Sequence, residues 1–145
     1  MPTTITAAPE NCVKVPSSPS ANSEEKQLAA EIEMKLPPGT CFFAVDTIDV
    51  TGQSGKITVY VDLAVPASKG PDDLRSVATD IAHMLKTSQI AQRISSVRVT
   101  NWGAWEGSEL KYESFLSDDN FQNHPWDGTP SREAEMAIWT IRAKK

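Results

Sequence analysis

Hydrophobic positions change their period along this chain, and each change marks an element. The cleanest stretch is 56–65, where Ile57, Val59, Val61, Leu63 and Val65 alternate with Lys56, Thr58, Tyr60 and Asp62. That period of two belongs to a strand with one buried face. Upstream, 41–50 carries apolar residues on both faces (Phe42, Phe43, Val45, Ile48), which predicts a strand buried on both sides. Thr51-Gly52-Gln53-Ser54-Gly55 separates the two and supplies the glycines of a hairpin loop.

The period then lengthens. Leu74, Val77, Ala78, Ile81 and Leu85 form one stripe at helical spacing, with Met84 at its border. Gly70-Pro71-Asp72-Asp73 opens that helix, because Pro71 suits a first turn and the aspartates face the positive end of the dipole. Its end is expected near 86–88, with a further turn through Ile90 and Ala91. An earlier, narrower stripe (Leu28, Ile32, Leu36) predicts a short surface helix. Asn22 or Ser23 caps it, Glu24 and Glu25 suit its start, and Pro37-Pro38 stops it. A strand returns at 96–102. Strand, helix and strand in that order predict a right-handed crossover between parallel strands. A final strand is expected at 135–141 (Met136, Ile138, Trp139) and a short edge strand at 110–115.

The elements add up to an α+β fold. The expectation is a two-layer sandwich, β-hairpin–α–β–(β)–β, with a mixed sheet and one main packed helix. Residues 1–21 are mostly Pro, Ser, Thr and Ala and read as a disordered tail or linker. Residues 22–145 read as a single domain. At 39% hydrophobic residues the chain builds a real core, yet no window reaches the apolar length of a membrane span.

Charge redirects attention to 103–135. Glu106, Glu109, Glu113, Asp118, Asp119, Asp127, Glu133 and Glu135 stand there against Lys111 and Arg132, a balance of −6 where the whole chain is −5. Trp105 and Trp126 lie inside this long acidic loop and Trp102 at its edge. Nothing in it is regularly periodic, and long irregular loops in compact domains carry function or are disordered. The acidic balance argues against a nucleic-acid partner and for a protein partner with a basic surface.

Several chemistries are excluded by spacing. Gly52-Gln53-Ser54-Gly55-Lys56 lacks the first glycine and the terminal hydroxyl of a phosphate loop, and a strand follows it. Asp118-Asp119-Asn120 begins like a calcium loop, but Asn123 and Thr129 occupy the positions that need Gly and Glu. Two cysteines and two histidines scattered over the chain make no zinc pattern, and no cofactor fingerprint is present. Cys41 is expected as a buried thiol at a strand entrance and Cys12 as a free thiol in the tail. No secretory signal is read at the start, so a cytoplasmic chain is expected, or an exported domain if a signal was removed.

Of the histidines, His83 reads as a half-exposed helix residue. His124 is the candidate for acid–base work, with Asp127 or Asp119 as the carboxylate that orients it. Trp105, Glu106, Glu109, Trp126 and Asp127 are the candidate binding residues, aromatic anchors within an acidic rim. A non-enzymatic protein-binding module is therefore the first expectation. The alternatives are a small hydrolase-like enzyme using His124, and an acidic inhibitor or immunity-type protein.

Overall fold

The computed structural model describes residues 23–36, 40–65, 70–102, 104–106, 109–111 and 113–142, and of 23, 24, 104–106 and 109–111 the backbone alone. The expected tail at 1–21 lies outside these residues. Helix α1 (Ser23–Lys35) leads into a hairpin of β1 (Cys41–Asp49) and β2 (Ile57–Ala64), and α2 (Pro71–Lys86) crosses over to β3 (Ile94–Asn101). A small hairpin, β4 (Ala104–Glu106) and β5 (Glu109–Lys111), precedes β6 (Ser114–Asp118), α3 (Arg132–Met136) and β7 (Thr140–Arg142). The main sheet runs β1-β2-β3-β6-β7. Only the β2/β3 pair is parallel, as the crossover requires.

Helices α1 and α2 pack on one face of this sheet, so the molecule is a two-layer α+β sandwich. Ile57, Val59, Val61 and Leu63 of β2, with Val97 and Val99 of β3, are buried against Leu74, Ile81 and Leu85 of α2. Leu28 and Ile32 bring α1 into the same core. The hairpin loop closes with Gly52 and Gly55 at φ 80° and 79°, the left-handed region that glycine reaches without a Cβ penalty.

Four expectations are corrected. Strand β1 is not buried on both faces: it is an edge strand, only Cys41 and Val45 are buried, and Ile48 is 54% exposed. A bulge at Phe43 resets its phase, so that Phe42 opposite Leu63 and Val45 opposite Val61 both meet the helix layer. Second, Cys41 is disulfide-bonded rather than a thiol; Cys12, the chain's other cysteine, lies outside the described residues. Third, the stretch expected as an edge strand at 110–115 divides into β5 and the start of β6, and β6 sits inside the sheet between β3 and β7.

Fourth, the strand expected at 135–141 is α3 followed by the short β7. Ser131 accepts the Ala134 N–H at 3.1 Å and caps α3, a local signal that outweighs the apolar alternation of Met136 and Ile138. Trp139 is buried, and its indole N–H donates to Thr79 on α2 at 3.1 Å.

Candidate functional site

The described part of the acidic segment from β6 onward is built around two buried carboxylates. Asp118, at the end of β6, is 3% exposed. It accepts the Trp126 indole N–H at 2.9 Å and the Asn120 N–H at 3.0 Å, and His124 Nδ1 lies 3.0 Å from both of its oxygens. Glu135 on α3 is 1% exposed; it accepts the Gly128 N–H at 2.8 Å and stands 2.8 Å from His83 Nε2 on α2. Buried carboxylates are tolerable when their lone pairs are filled in this way.

Trp126 is where the two pairs meet. Its ring centroid is 6.4 Å from His83, 6.3 Å from His124 and 5.1 Å from Trp139. The residue is 2% exposed and holds φ at 47°. A bulky side chain in the left-handed region carries strain of about 1–3 kcal/mol, offset here by burial of the indole and its bond to Asp118. Lys86, near the end of α2, spans the other side: Nζ donates to the Phe121 carbonyl at 3.0 Å and lies 4.4 Å from the Phe121 ring centroid. Burial pulls the Lys86 pKa down, and the nearby Asp118 charge opposes that.

The expected acid–base pair forms with a different partner. His124 is oriented by Asp118, not by Asp127 or Asp119, which are engaged elsewhere. Asp119 accepts Ser96 Oγ at 2.8 Å and Arg142 Nη2 at 3.0 Å. Asp127 is exposed and accepts the hydroxyl and N–H of Thr129, which hold its carboxyl below the ordinary range. Among the described residues His124 Nε2 and His83 Nδ1 have no hydrogen-bond partner, and no serine, threonine or cysteine side chain bonds to either ring. Carboxylate-oriented imidazoles of this kind can take or give a proton, but no nucleophile is assembled with them.

The binding candidates separate. Trp126 is buried and therefore serves as core, not as an exposed anchor. Trp105, Glu106 and Glu109 lie on the β4/β5 hairpin, where Trp105 pairs with Leu110 and Glu106 with Glu109; their side chains are outside the described residues. Trp102 is 38% exposed. A cavity of about 220 Å³ opens between α1 and the end of α2, lined by Leu28, Glu31, Ser88 and Ile90 among others. None of its lining belongs to the acidic segment.

Sequence reasoning missed the His83–Glu135 pair, because it spans 52 positions. It also missed the solvent-facing carboxylates that α3 lays beside α2. Arg132 reaches Ser76 and Asp80 at 2.8 and 3.0 Å, and Arg75 donates to the Met136 and Trp139 carbonyls, each at 2.8 Å. These contacts hold α3, which carries the exposed Glu133, against α2. Among the described residues no group of three or more His, Cys, Asp or Glu side chains could hold a metal ion. No helix among them is long and apolar enough to cross a membrane. No family model, no curated protein and no solved structure matches this chain.

Proposed function

We propose that this protein is a non-enzymatic binding module that presents an acidic face to a protein partner with a basic surface. The observation that carries the reading is the division of labour among the carboxylates. Asp118 and Glu135 are buried and hold the segment in place. Asp127 and Glu133 are exposed, and α3, which carries Glu133, packs on α2, where Asp72 and Asp73 are exposed and Asp80 is half-buried. The two arginines within this face, Arg75 and Arg132, are paired with two of its carboxylates, Asp72 at 2.9 Å and Asp80 at 3.0 Å, so Asp127 and Glu133 carry its exposed negative charge. A charged surface fixed in advance loses little entropy on binding and accelerates encounter with an opposite charge. Trp105 on the β4/β5 hairpin is the aromatic candidate.

The test is capture from a native extract with wild type and with an Asp127→Lys/Glu133→Lys variant of unchanged melting temperature. A partner held by wild type, released by salt and lost by the variant supports the reading. Retention of every interaction by that variant and by Trp105→Ala removes it.

The His124–Asp118 geometry favours a second reading, a small hydrolase-like enzyme in which the imidazole exchanges protons with substrate or water. A panel of chromogenic ester and phosphoester substrates tests it. The reading requires turnover that His124→Gln abolishes without loss of fold, and it fails if His124→Gln is as active as wild type or wild type turns over none.

A further inference from the structure

Helices α1 and α2 share one core with the inward residues of β2 and β3, and α3 is tied to α2. The opposite sheet face therefore has no helix against it among the described residues. Strand register sorts the charges of that face by sign. One row runs from Asp46 on β1 through Tyr60 on β2 to Arg98 on β3. The next runs from Asp62 on β2 through Thr100 and Phe115 to Arg142 on β7. In these rows the β1/β2 side carries two carboxylates, and the side from β3 to β7 carries two arginines that share Asp119. Arg142 Nη2 donates to Asp119 at 3.0 Å, and Arg98 Nη2 stands 3.9 Å from it. The Arg98 guanidinium also lies 5.9 Å from the centroid of the Tyr60 ring.

The same face keeps apolar surface in solvent. Ile48, on the Asp46 side of β1, is 54% exposed, and Trp102 is 38% exposed. The Trp102 N–H donates to the Leu63 carbonyl at 2.9 Å, so the β3 register runs on, and alternation puts its indole on the side of Arg98 and Thr100. Exposed apolar surface bordered by charge marks an interaction site. The separation of signs selects the partner. A face of one sign suits a molecule of the other, whereas a face acidic on one half and basic on the other complements a second copy of itself rotated by half a turn. An axis parallel to the strands lays β1 over the partner's β7 and β2 over the partner's β6. An axis across the strands would set β1 on β1 and carboxylate on carboxylate. No cavity is needed, because sheets pack face to face through interdigitating side chains.

We propose that two copies of this chain pair through this sheet face about a two-fold axis parallel to the strands. Arg142 of each copy then lies against the partner's Asp46 and Asp62, and Trp102 meets its counterpart beside the axis. β3 is the middle strand of the five, so Arg98 also lies near the axis, where Asp119 and Tyr60 hold its charge within its own copy. The face is on the far side of the sheet from α2, so the pairing stands or falls independently of the acidic binding face.

Sedimentation equilibrium of the full chain, from micromolar to millimolar concentration, reads the association directly. Wild type should show a reversible monomer–dimer equilibrium that weakens as salt rises. Asp46→Lys and Arg142→Glu each put like charges together at both ends of the symmetric interface, and each should weaken the dimer at least tenfold. Trp102→Ala should weaken it severalfold. The two charge variants mixed in equal amounts should associate close to wild type, because opposite charges meet again at both ends. Melting temperatures show that each variant is folded; Asp46→Asn and Arg142→Gln, expected to be severalfold weaker, replace either that is not. The proposal is overturned if wild type stays monomeric at millimolar concentration or if the charge variants associate as wild type does. It is overturned equally if their mixture is no tighter than either alone.

Discussion

Asp118→Ala isolates what the buried carboxylate contributes. The substitution removes the acceptor of three donors at once: Trp126 Nε1, Asn120 N and His124 Nδ1, at 2.9, 3.0 and 3.0 Å. They are unequal. Trp126 is 2% exposed, so its indole N–H has no access to water and its loss costs about 1–3 kcal/mol. Asn120 is exposed and the His124 side chain is 30% exposed, so solvent takes over much of their bonding. These two add only about 0.5 kcal/mol each. The expected destabilisation is about 2–4 kcal/mol, a fall of about 7–14 °C in Tm for a domain of this size. Thermal unfolding at pH 7 reads the global cost, and the near-ultraviolet circular dichroism of the tryptophans reads the local one. His124→Ala is the control; it should cost less than about 1 kcal/mol because the ring is 30% exposed and solvent takes over part of its bonding. An Asp118→Ala protein that melts within about 2 °C of wild type refutes this account. So does a His124→Ala loss as large as that of Asp118→Ala.

Three further outcomes follow from single groups. Burial, reinforced by the Asp46 charge, pushes the Asp62 carboxyl up from 3.8 to about 6. A carboxyl whose pKa is raised in the fold stabilises it while protonated, so this contribution fades as pH rises from about 4 to about 6. Asp62→Asn should flatten that part of the Tm–pH profile and raise Tm at pH 7; parallel profiles would count against it. Glu25 accepts both the N–H and the hydroxyl of Thr47, at 2.7 and 2.9 Å, where β1 has no neighbouring strand. Glu25→Ala should cost about 1–2 kcal/mol and speed exchange of the Thr47 amide, and an unchanged exchange rate would disprove the tie. Thiol titration of the denatured, unreduced protein should find no free cysteine, with two appearing after reduction.

The fold was largely legible in sequence because its pattern is local. Alternation at Ile57, Val59, Val61 and Leu63 and the stripe of Leu74 to Leu85 each report one buried face, and the structure buries all of them. Legibility failed where a neighbour decides. Phe42 and Val45 look like opposite faces of a strand until a bulge brings them to the same one. Met136 and Ile138 alternate like strand residues, yet the Ser131 cap turns the preceding residues into a helix. The site was half legible for the same reason. A carboxylate near His124 was expected from composition, but choosing Asp118 over Asp119 needs the strand phase, which points consecutive residues to opposite faces. Asp118 on the helix side meets His124 and Trp126, while Asp119 on the other side meets the arginines.

That one-residue difference bears on how the acidic segment is tested. Formal charge treats its carboxylates alike, yet Asp118 and Glu135 spend their oxygens on Trp126, Asn120, Gly128 and the two imidazoles. They are parts of the scaffold, and substituting them disturbs recognition and stability together. Asp127 and Glu133 face solvent, and neither accepts a bond from the core, so a charge reversal there changes the surface while leaving the fold in place. The same distinction disqualifies Trp126→Ala as a probe of binding, because it deletes a buried indole and opens a cavity, at a cost of about 3–5 kcal/mol. Lost binding in Asp118→Ala or Trp126→Ala is therefore evidence about recognition only if Asp127→Lys/Glu133→Lys reproduces it at an unchanged melting temperature.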